Sequence, residues 1–493
     1  MDFQTVDWAA SLLAILPEIL LTVLAVLILV LDLVWPVSRR REIGVITAVL
    51  MFGIVLVTLV FGVPSADGSL SDQLLLGGMI RHDLLAQIFR VIVILAGALT
   101  CLISVDSSLG RKGQYYALIV ISTLGASLMS AAADLVMVFV ALETTSISLY
   151  MLAGFIRNDE KSAESGLKYF LFGAMTSAVT LYGLSLLYGF TGQTNIYLLG
   201  EALAAGNLPG LPVLVALIMV VVGFGFKISA VPFHFWTPDV YEGAPTPITA
   251  FISVGSKAAS FALLMRFFMA VFPGYDTAWV ELLAVSAAVT MTLGNLLALA
   301  QSNLKRMLAY SSIAQAGYAL IGVVAISSMN GQGLAAVSFY MFMYAATNII
   351  AFAVAAIVAR ATGSDKIADL AGLSRRNPAL ALALTVALLS LGGIPPAAGF
   401  FGKFYLFNAA VDANFVWLAL VGVINAIVAL YYYLTVVKVM YVDRHADDDK
   451  PIAISAASRW ALIIGAFIVL FLGIIPAPVY NWALEAGRGL LLF

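Results

Sequence analysis

The chain has one cysteine in 493 residues. A single thiol, Cys101, set inside an apolar run, closes no internal disulfide and holds no iron–sulfur cluster. Histidine is nearly as scarce: His82, His234 and His445 lie far apart, without the spacing of a metal site. No glycine-rich strand-to-helix fingerprint and no Walker sequence occurs. These absences leave no place for a redox cofactor or a nucleotide in this chain. Charge is scarce too. Asp, Glu, Lys and Arg make up 11% of the residues, against roughly 25% in a soluble domain. The formal net charge is −2 and the basic residues are scattered over many loops, which argues against a nucleic-acid partner.

What fills the chain instead is apolar: 62% of residues are hydrophobic and the mean hydropathy is +1.03. That is the composition of an all-α polytopic membrane protein, not of soluble domains of ~150 residues. Apolar runs of about 20 residues match a hydrocarbon core of ~30 Å. Fourteen are visible, at roughly 11–35, 43–63, 84–105, 115–131, 135–156, 166–190, 211–229, 248–272, 279–300, 307–327, 335–359, 379–408, 415–440 and 458–478. The first is too long for a signal-peptide core and lacks a cleavage site, so it reads as a retained helix. Alternate loops are basic, with Arg39 to Arg41, Arg111, Lys112, Arg157, Lys161, Lys305, Arg306, Arg360, Lys366, Arg375, Arg376, Arg444, Lys450 and Arg459. The other loops hold little beyond Arg81, Arg488 and acids such as Asp67, Asp72, Asp276 and Asp412. The positive-inside rule makes the first set cytoplasmic, and an even span count places both termini on the other face, the periplasm of a bacterium. The charge run from Asp443 to Lys450 reads as a solvated loop.

Four ionisable residues lie within these runs: Glu143, Lys227, Lys257 and Lys403. A charge at the centre of a bilayer helix costs on the order of 2.5–3.5 kcal/mol on insertion scales, so such groups face protein or a hydrated cavity and mark ion or proton movement. Glu143 sits ~13 Å into the fifth span by helical rise. It either bonds a neighbouring hydroxyl (Thr144, Thr145 or Ser146) or pairs with a buried lysine. Lys227 either snorkels from the end of the seventh span or stays at depth where Pro232 breaks the helix and frees carbonyls. Lys257 is surrounded by Gly255, Ser256, Ala258, Ala259 and Ser260, small residues that admit close helices and water. Lys403 follows Gly392-Gly393-Ile394-Pro395-Pro396 and either snorkels outward or binds the last proton before an exit. The Gly223-to-Lys227 string GFGFK faintly echoes GFFGK at Gly399 to Lys403, and paired broken helices point to a transporter built from repeats. Arg90 and Arg266 read as snorkelling or structural, since arginine keeps its proton. His234 reads as a packed residue. Ser311, Ser312 and Gln315 on the tenth span, with Tyr344, Thr347 and Asn348 on the eleventh, would support a water chain or simply glue helices.

Three strings carry a family resemblance: VPFHFWTPDVYEGAPTPITAFISVGSK from Val231 to Lys257, LKRMLAYSSIAQAGY from Leu304 to Tyr318, and GGIPPAAGFFGKF from Gly392 to Phe404. With them the chain resembles the antiporter-like subunits of respiratory complex I and the Mrp cation/proton antiporters. TPDV after Trp236, where the Mrp relatives usually read LPDA, favours the complex I branch, leaving an Mrp-type Na⁺/H⁺ antiporter subunit as the alternative. The resemblance implies two inverted five-helix repeats, helices 4–8 and 9–13, with helices 7 and 12 discontinuous. It divides the chain into an amino-terminal three-helix segment (1–114), a first repeat (115–272), a second repeat (279–440) and a last helix with a tail (441–493). It implies that Glu143 pairs with Lys227, that Lys257 connects the halves and that Lys403 faces the exit. Gln315 departs from the pattern, standing where many relatives have histidine, so a relay there would need water. The implied role is proton translocation as a subunit of NADH:quinone oxidoreductase in a bacterial inner membrane, with the redox chemistry and every cofactor in other subunits. The implied partners are adjacent antiporter-like and small membrane subunits and the lipid bilayer.

Overall fold

The computed structural model describes residues 8–61, 63–64, 69–107, 109–205, 210–272, 276–444 and 450–490. The amino-terminal residues up to Asp7, Asp67, His445 and most of the 443–450 charge run lie outside them. The apolar runs become helices in chain order: α1 Leu16–Val34, α2 Arg40–Val60, α3 Leu84–Ser104, α4 Gly113–Ala131, α5 Leu135–Ala153, α6 Glu160–Thr191 and α7 Gly210–Ile228. There follow α8 Trp236–Gly243, α9 Thr246–Val271, α10 Asp276–Leu299, α11 Leu304–Val324 and α12 Gln332–Thr362. The chain finishes with α13 Pro378–Gly392, α14 Ala398–Asp412, α15 Val416–Tyr441, α16 Ala456–Ile474 and α17 Ala477–Leu490. Among the described residues, strand is confined to one small hairpin, Leu74–Leu75 against Ile80–Arg81.

Thirteen helices among the described residues are long and apolar enough to cross a membrane. The expected twelfth span is two helices, α13 and α14, of 15 residues each. The expected seventh is also interrupted: α7 stops at Ile228 and the chain restarts as α8. Proline explains both breaks, because it offers no N–H to the helix ladder and disfavours helical geometry in the residue before it. Pro232 follows the first break; Pro395 and Pro396 occupy the second, where Gly393 caps α13 in the left-handed region at φ 86°. Several polar loop residues serve as helix N-caps. Asp83, Asp134, Asp159, Asn303, Asn377 and Ser455 each accept a backbone N–H at the start of α3, α5, α6, α11, α13 and α16.

Burial sorts the helices into a centre and a ring. α3 and α9 are buried along their whole apolar length, and α11 and α12 nearly so. α1, α2, α6, α15 and α16 keep one apolar face outward, for lipid. α3 therefore belongs to the centre of the bundle: it packs on α4, α9, α12 and α17. The segment after the last span, read from sequence only as a tail, is the helix α17, which packs on α3 and α12.

Candidate functional site

Lys227 is the penultimate residue of α7 and is 4% exposed. Its Nζ donates to Ser146 Oγ at 2.5 Å and to the Tyr150 hydroxyl at 3.2 Å, both on α5. The rings of Tyr150 and Phe226 flank the ammonium at 5.5 and 5.4 Å. Glu143, partly buried on the same α5, accepts from Ser177 Oγ of α6 at 2.5 Å. Among the described residues no salt bridge joins Glu143 to Lys227; the carboxylate and the ammonium each bond a serine, Ser177 and Ser146. Ser146 lies three residues beyond Glu143 on one face of α5, so the ammonium meets a hydroxyl one turn short of the carboxylate. Nor does Lys227 take the carbonyls freed by the break. The Trp236 indole donates to Phe226 O at 3.1 Å and Ala230 N to Gly225 O at 2.8 Å.

Lys257 occupies the middle of α9, directly after a π-helical turn at Ile252–Ser256. Nothing in the sequence announces that turn, since no proline or charge lies within it. Lys257 is 2% exposed and donates to both Ser312 O at 2.9 Å and Ser312 Oγ at 2.6 Å on α11. Tyr344 of α12 donates to the same Ser312 hydroxyl at 2.9 Å, and Asn348 ties Tyr344 to Ser253 in the π turn, at 3.1 and 2.5 Å. Between the first two lysines stand Tyr150 and Tyr169, edge to face at 4.7 Å, with the Tyr169 hydroxyl against Ser256 beside Lys257.

Lys403 lies in α14, 4% exposed, with its Nζ 4.5 Å from the centre of the Tyr318 ring. It donates to Gly392 O at 3.2 Å, a carbonyl that the end of α13 leaves free. It points into the protein and does not snorkel. The two lysines of the GFGFK and GFFGK strings therefore sit on opposite sides of their breaks, Lys227 before and Lys403 after. Gln315 links the middle to this end. Its Nε2 donates to Tyr433 OH at 3.1 Å and Leu391 O at 3.2 Å, and its Oε1 accepts from Tyr340. Tyr433 in turn meets Ser311 Oγ at 2.5 Å. The polar side chains thus run from Ser312 and Ser311 through Tyr433 and Gln315 to Leu391, next to the carbonyl that holds Lys403. Direct hydrogen bonds make this connection at Gln315. Thr347 meets Ser390 at 3.1 Å alongside.

Beyond the residues read from sequence, the site includes Tyr150, Tyr169, Ser177, Tyr318, Tyr340 and Tyr433, and Ser146 serves Lys227 and not Glu143. Their signal was weak: tyrosines and serines scattered in apolar runs look like ordinary packing.

At the end of the bundle reached by α8, charges form a network. Asp239 pairs with Lys168 at 2.7 Å and Arg306 at 3.0 Å; Glu242 pairs with Arg306 at 2.9 Å and Lys161 at 3.1 Å. Burial alone would raise both carboxyls, but hydrogen bonds and charge from Lys168, Arg306 and Lys161 outweigh it and hold them below the ordinary carboxylate range. Lys305, buried beside them, donates to Glu242 O and Ala244 O at 2.8 and 3.0 Å. Next to this network a cavity of about 440 Å³ reaches the start of α9, lined by Asp159, Lys161, Lys305, Arg360 and Asp365 among others. Near the opposite end lies a second, fully buried charge group. Arg266 grips Asp83 with two bonds of 2.7 Å, Arg81 adds a contact of 3.2 Å, and Arg90 pairs with Glu18 at 2.8 Å. Arg90 and Arg266 are therefore structural and do not snorkel. Burial raises Asp83, but the two guanidiniums overcome it and bring its pKa to about 2.

These features define a class: a polytopic membrane protein whose broken helices enclose a run of lysines, hydroxyls and amides. The family model for NADH:quinone oxidoreductase/Mrp antiporter transmembrane proteins matches residues 132–429, and the chain belongs to that family. It is 43% identical over 473 residues to "NADH-quinone oxidoreductase subunit N" of Moorella thermoacetica, a match covering 95% of this chain and 97% of that protein. A chain of the solved respiratory complex I from Thermus thermophilus with bound aureothin superposes with a TM-score of 0.78 at 32% identity, covering 94% of this chain and 98% of that one. A chain of the Mrp complex from Dietzia sp. shares the fold, with a TM-score of 0.81 at 21% identity, covering 98% of each chain.

Proposed function

We propose that the chain is a proton-translocating subunit in the membrane arm of a bacterial NADH:quinone oxidoreductase, with NADH oxidation and quinone reduction carried by other subunits. One observation carries the reading: Lys227, Lys257 and Lys403 are each buried and bonded to neutral oxygens, with no carboxylate partner among the described residues. A buried ammonium held only by hydroxyls and carbonyls lacks the opposite charge that would fix its proton. The tyrosine hydroxyls and Gln315 between the lysines supply donors and acceptors in sequence. In this reading Glu143 sets the field at Lys227, Lys257 connects the two halves, and Lys403 faces the exit. Ser311, Ser312, Gln315 and Tyr344 carry the polar connection.

In the same reading α13 and α14 count as one crossing, giving fourteen. Residues 115–272 and 279–440 are the two inverted repeats, 1–114 is the amino-terminal segment, and 441–493 holds the last span and tail. The basic loops then face the cytoplasm and both termini the periplasm. The partners are the adjacent antiporter-like and small membrane subunits, and the chain holds no cofactor of its own.

The test is a pair of substitutions at one site, with proton pumping measured per electron in reconstituted vesicles. Lys403→Ala should impair pumping, and Lys403→Arg, which keeps a positive charge but cannot release its proton, should not restore it. Full pumping by the arginine variant would show that Lys403 acts only as a fixed charge. An Mrp-type antiporter would instead exchange Na⁺ for H⁺ without NADH, which the same vesicles report.

A further inference from the structure

One groove on the outer surface takes no part in the lysine run. It lies between α13 and α16 and encloses about 650 Å³. Leu382, Val386, Ile454, Leu462, Ile463 and Leu470 give it apolar walls. Its polar groups gather at one end, where Asn377 caps α13 and Arg459 stands in the first turns of α16. The two helices start side by side there: Asn377 Nδ2 donates to Ile452 O at 2.8 Å, and Ile452 N to Arg376 O at 3.3 Å. Both helix dipoles therefore present their positive ends to the mouth of the groove. Arg459 is exposed and has no acidic partner among the described residues. Its neighbour Trp460 is 60% exposed, as an aromatic ring at the level of lipid headgroups would be.

Length and charge select the occupant. From Arg459 to Leu470 the wall of α16 runs about 16 Å by helical rise, roughly half of a ~30 Å hydrocarbon core. A neighbouring transmembrane helix would seek a seam through both leaflets, whereas an acyl chain occupies one. A guanidinium at the mouth matches a phosphate, which it binds with two parallel hydrogen bonds. We propose that this groove is a binding site for one anionic phospholipid, its phosphate on Arg459 and an acyl chain laid over Leu462, Ile463, Ala466 and Leu470.

The test uses the intact complex, washed extensively in detergent, with the retained phosphatidylglycerol counted by mass spectrometry. Arg459→Glu and the groove-filling Ala466→Phe should each lose one phosphatidylglycerol per complex. Arg111→Glu, a charge reversal on an exposed loop elsewhere, should lose none. Adding phosphatidylglycerol back should refill the unsubstituted groove but not the Arg459→Glu variant. An unchanged lipid count in Arg459→Glu would overturn the site. So would ejection of a neighbouring subunit by Ala466→Phe with the lipid count intact, since the groove would then hold a protein helix.

Discussion

At the scale of single residues, the energetics turn on what each buried charge touches. Lys227 has two hydroxyl partners, and Ser146 is the nearer. Ser146→Ala removes an acceptor from a buried cation, a loss of about 1–3 kcal/mol. Proton pumping should fall several-fold in that variant while assembly is retained. Thr144→Ala is the control, because Thr144 bonds only the backbone of its own helix, at Val140 O, and pumping there should stay within error. The Asp83 group obeys a different rule. Asp83→Asn keeps the helix cap but strips the charge facing Arg266 and Arg81, both fully buried. Breaking such a group costs about 3–5 kcal/mol, so the variant should show a clear drop in the thermal midpoint of the complex; an unchanged midpoint would refute the role. The sequence disclosed the lysines and Glu143, since a charge within an apolar run stands out. It could not disclose Asp83 with Arg266, which are 183 positions apart, nor that Glu143 bonds Ser177 instead of the adjacent hydroxyls.

At the scale of elements, the breaks were legible because proline and glycine act locally, whereas partners for the freed carbonyls were not. The two breaks resolve differently: Trp236 and a turn N–H satisfy the first, and Lys403 takes Gly392 O at the second. Gly393 is essential to the second arrangement. An alanine there would hold a left-handed conformation at about 1–2 kcal/mol, and its Cβ would stand 3.0 Å from Lys403 Cδ. Gly393→Ala should therefore assemble normally but pump poorly, because the lysine is pushed off its carbonyl. Wild-type pumping by that variant would mean that the break tolerates the shift. Other element-level surprises, α17 and the π turn, had no local signal strong enough to read. The α17 stretch carries polar and apolar residues in helical alternation but is too short and too polar to register as a span.

At the scale of the whole molecule, the third of the amino-terminal helices, α3, lies at the centre against α9 and α12, a place that the sequence does not announce. Hydropathy reports how apolar a helix is, not whether protein or lipid covers it. The same centre holds the lysine run together. Two unit charges at 10 Å interact by roughly 1.7 kcal/mol at an effective dielectric of 20, enough to bias a neighbour's protonation by about one pKa unit. Where lysines lie farther apart, Tyr150 with Tyr169, and Tyr433 with Gln315, span the gap. In the proposed function, proton movement at one end is thereby tied to the packing of the interior, and a helix that carries no lysine, α3, belongs to its support.

The π turn before Lys257 has a genealogical consequence. Such a turn holds one residue more than an α-helical turn and amounts to a single insertion into an ordinary helix. In α9 the near end is tied to α8 by the Thr249 bond to Tyr241 O, and the far end is bolted by Arg266 to Asp83. Deleting Val254 would shorten and turn the stretch between them, so Lys257 and Arg266 could not keep Ser312 and Asp83 while Thr249 keeps Tyr241 O. The spacing from Thr249 to Arg266 is thus locked by its two anchored ends. The Val254 deletion should abolish pumping, and inserting an alanine after Ser253 in that deletion should restore it. Retained pumping in the shortened chain would show the extra residue to be an idle relic.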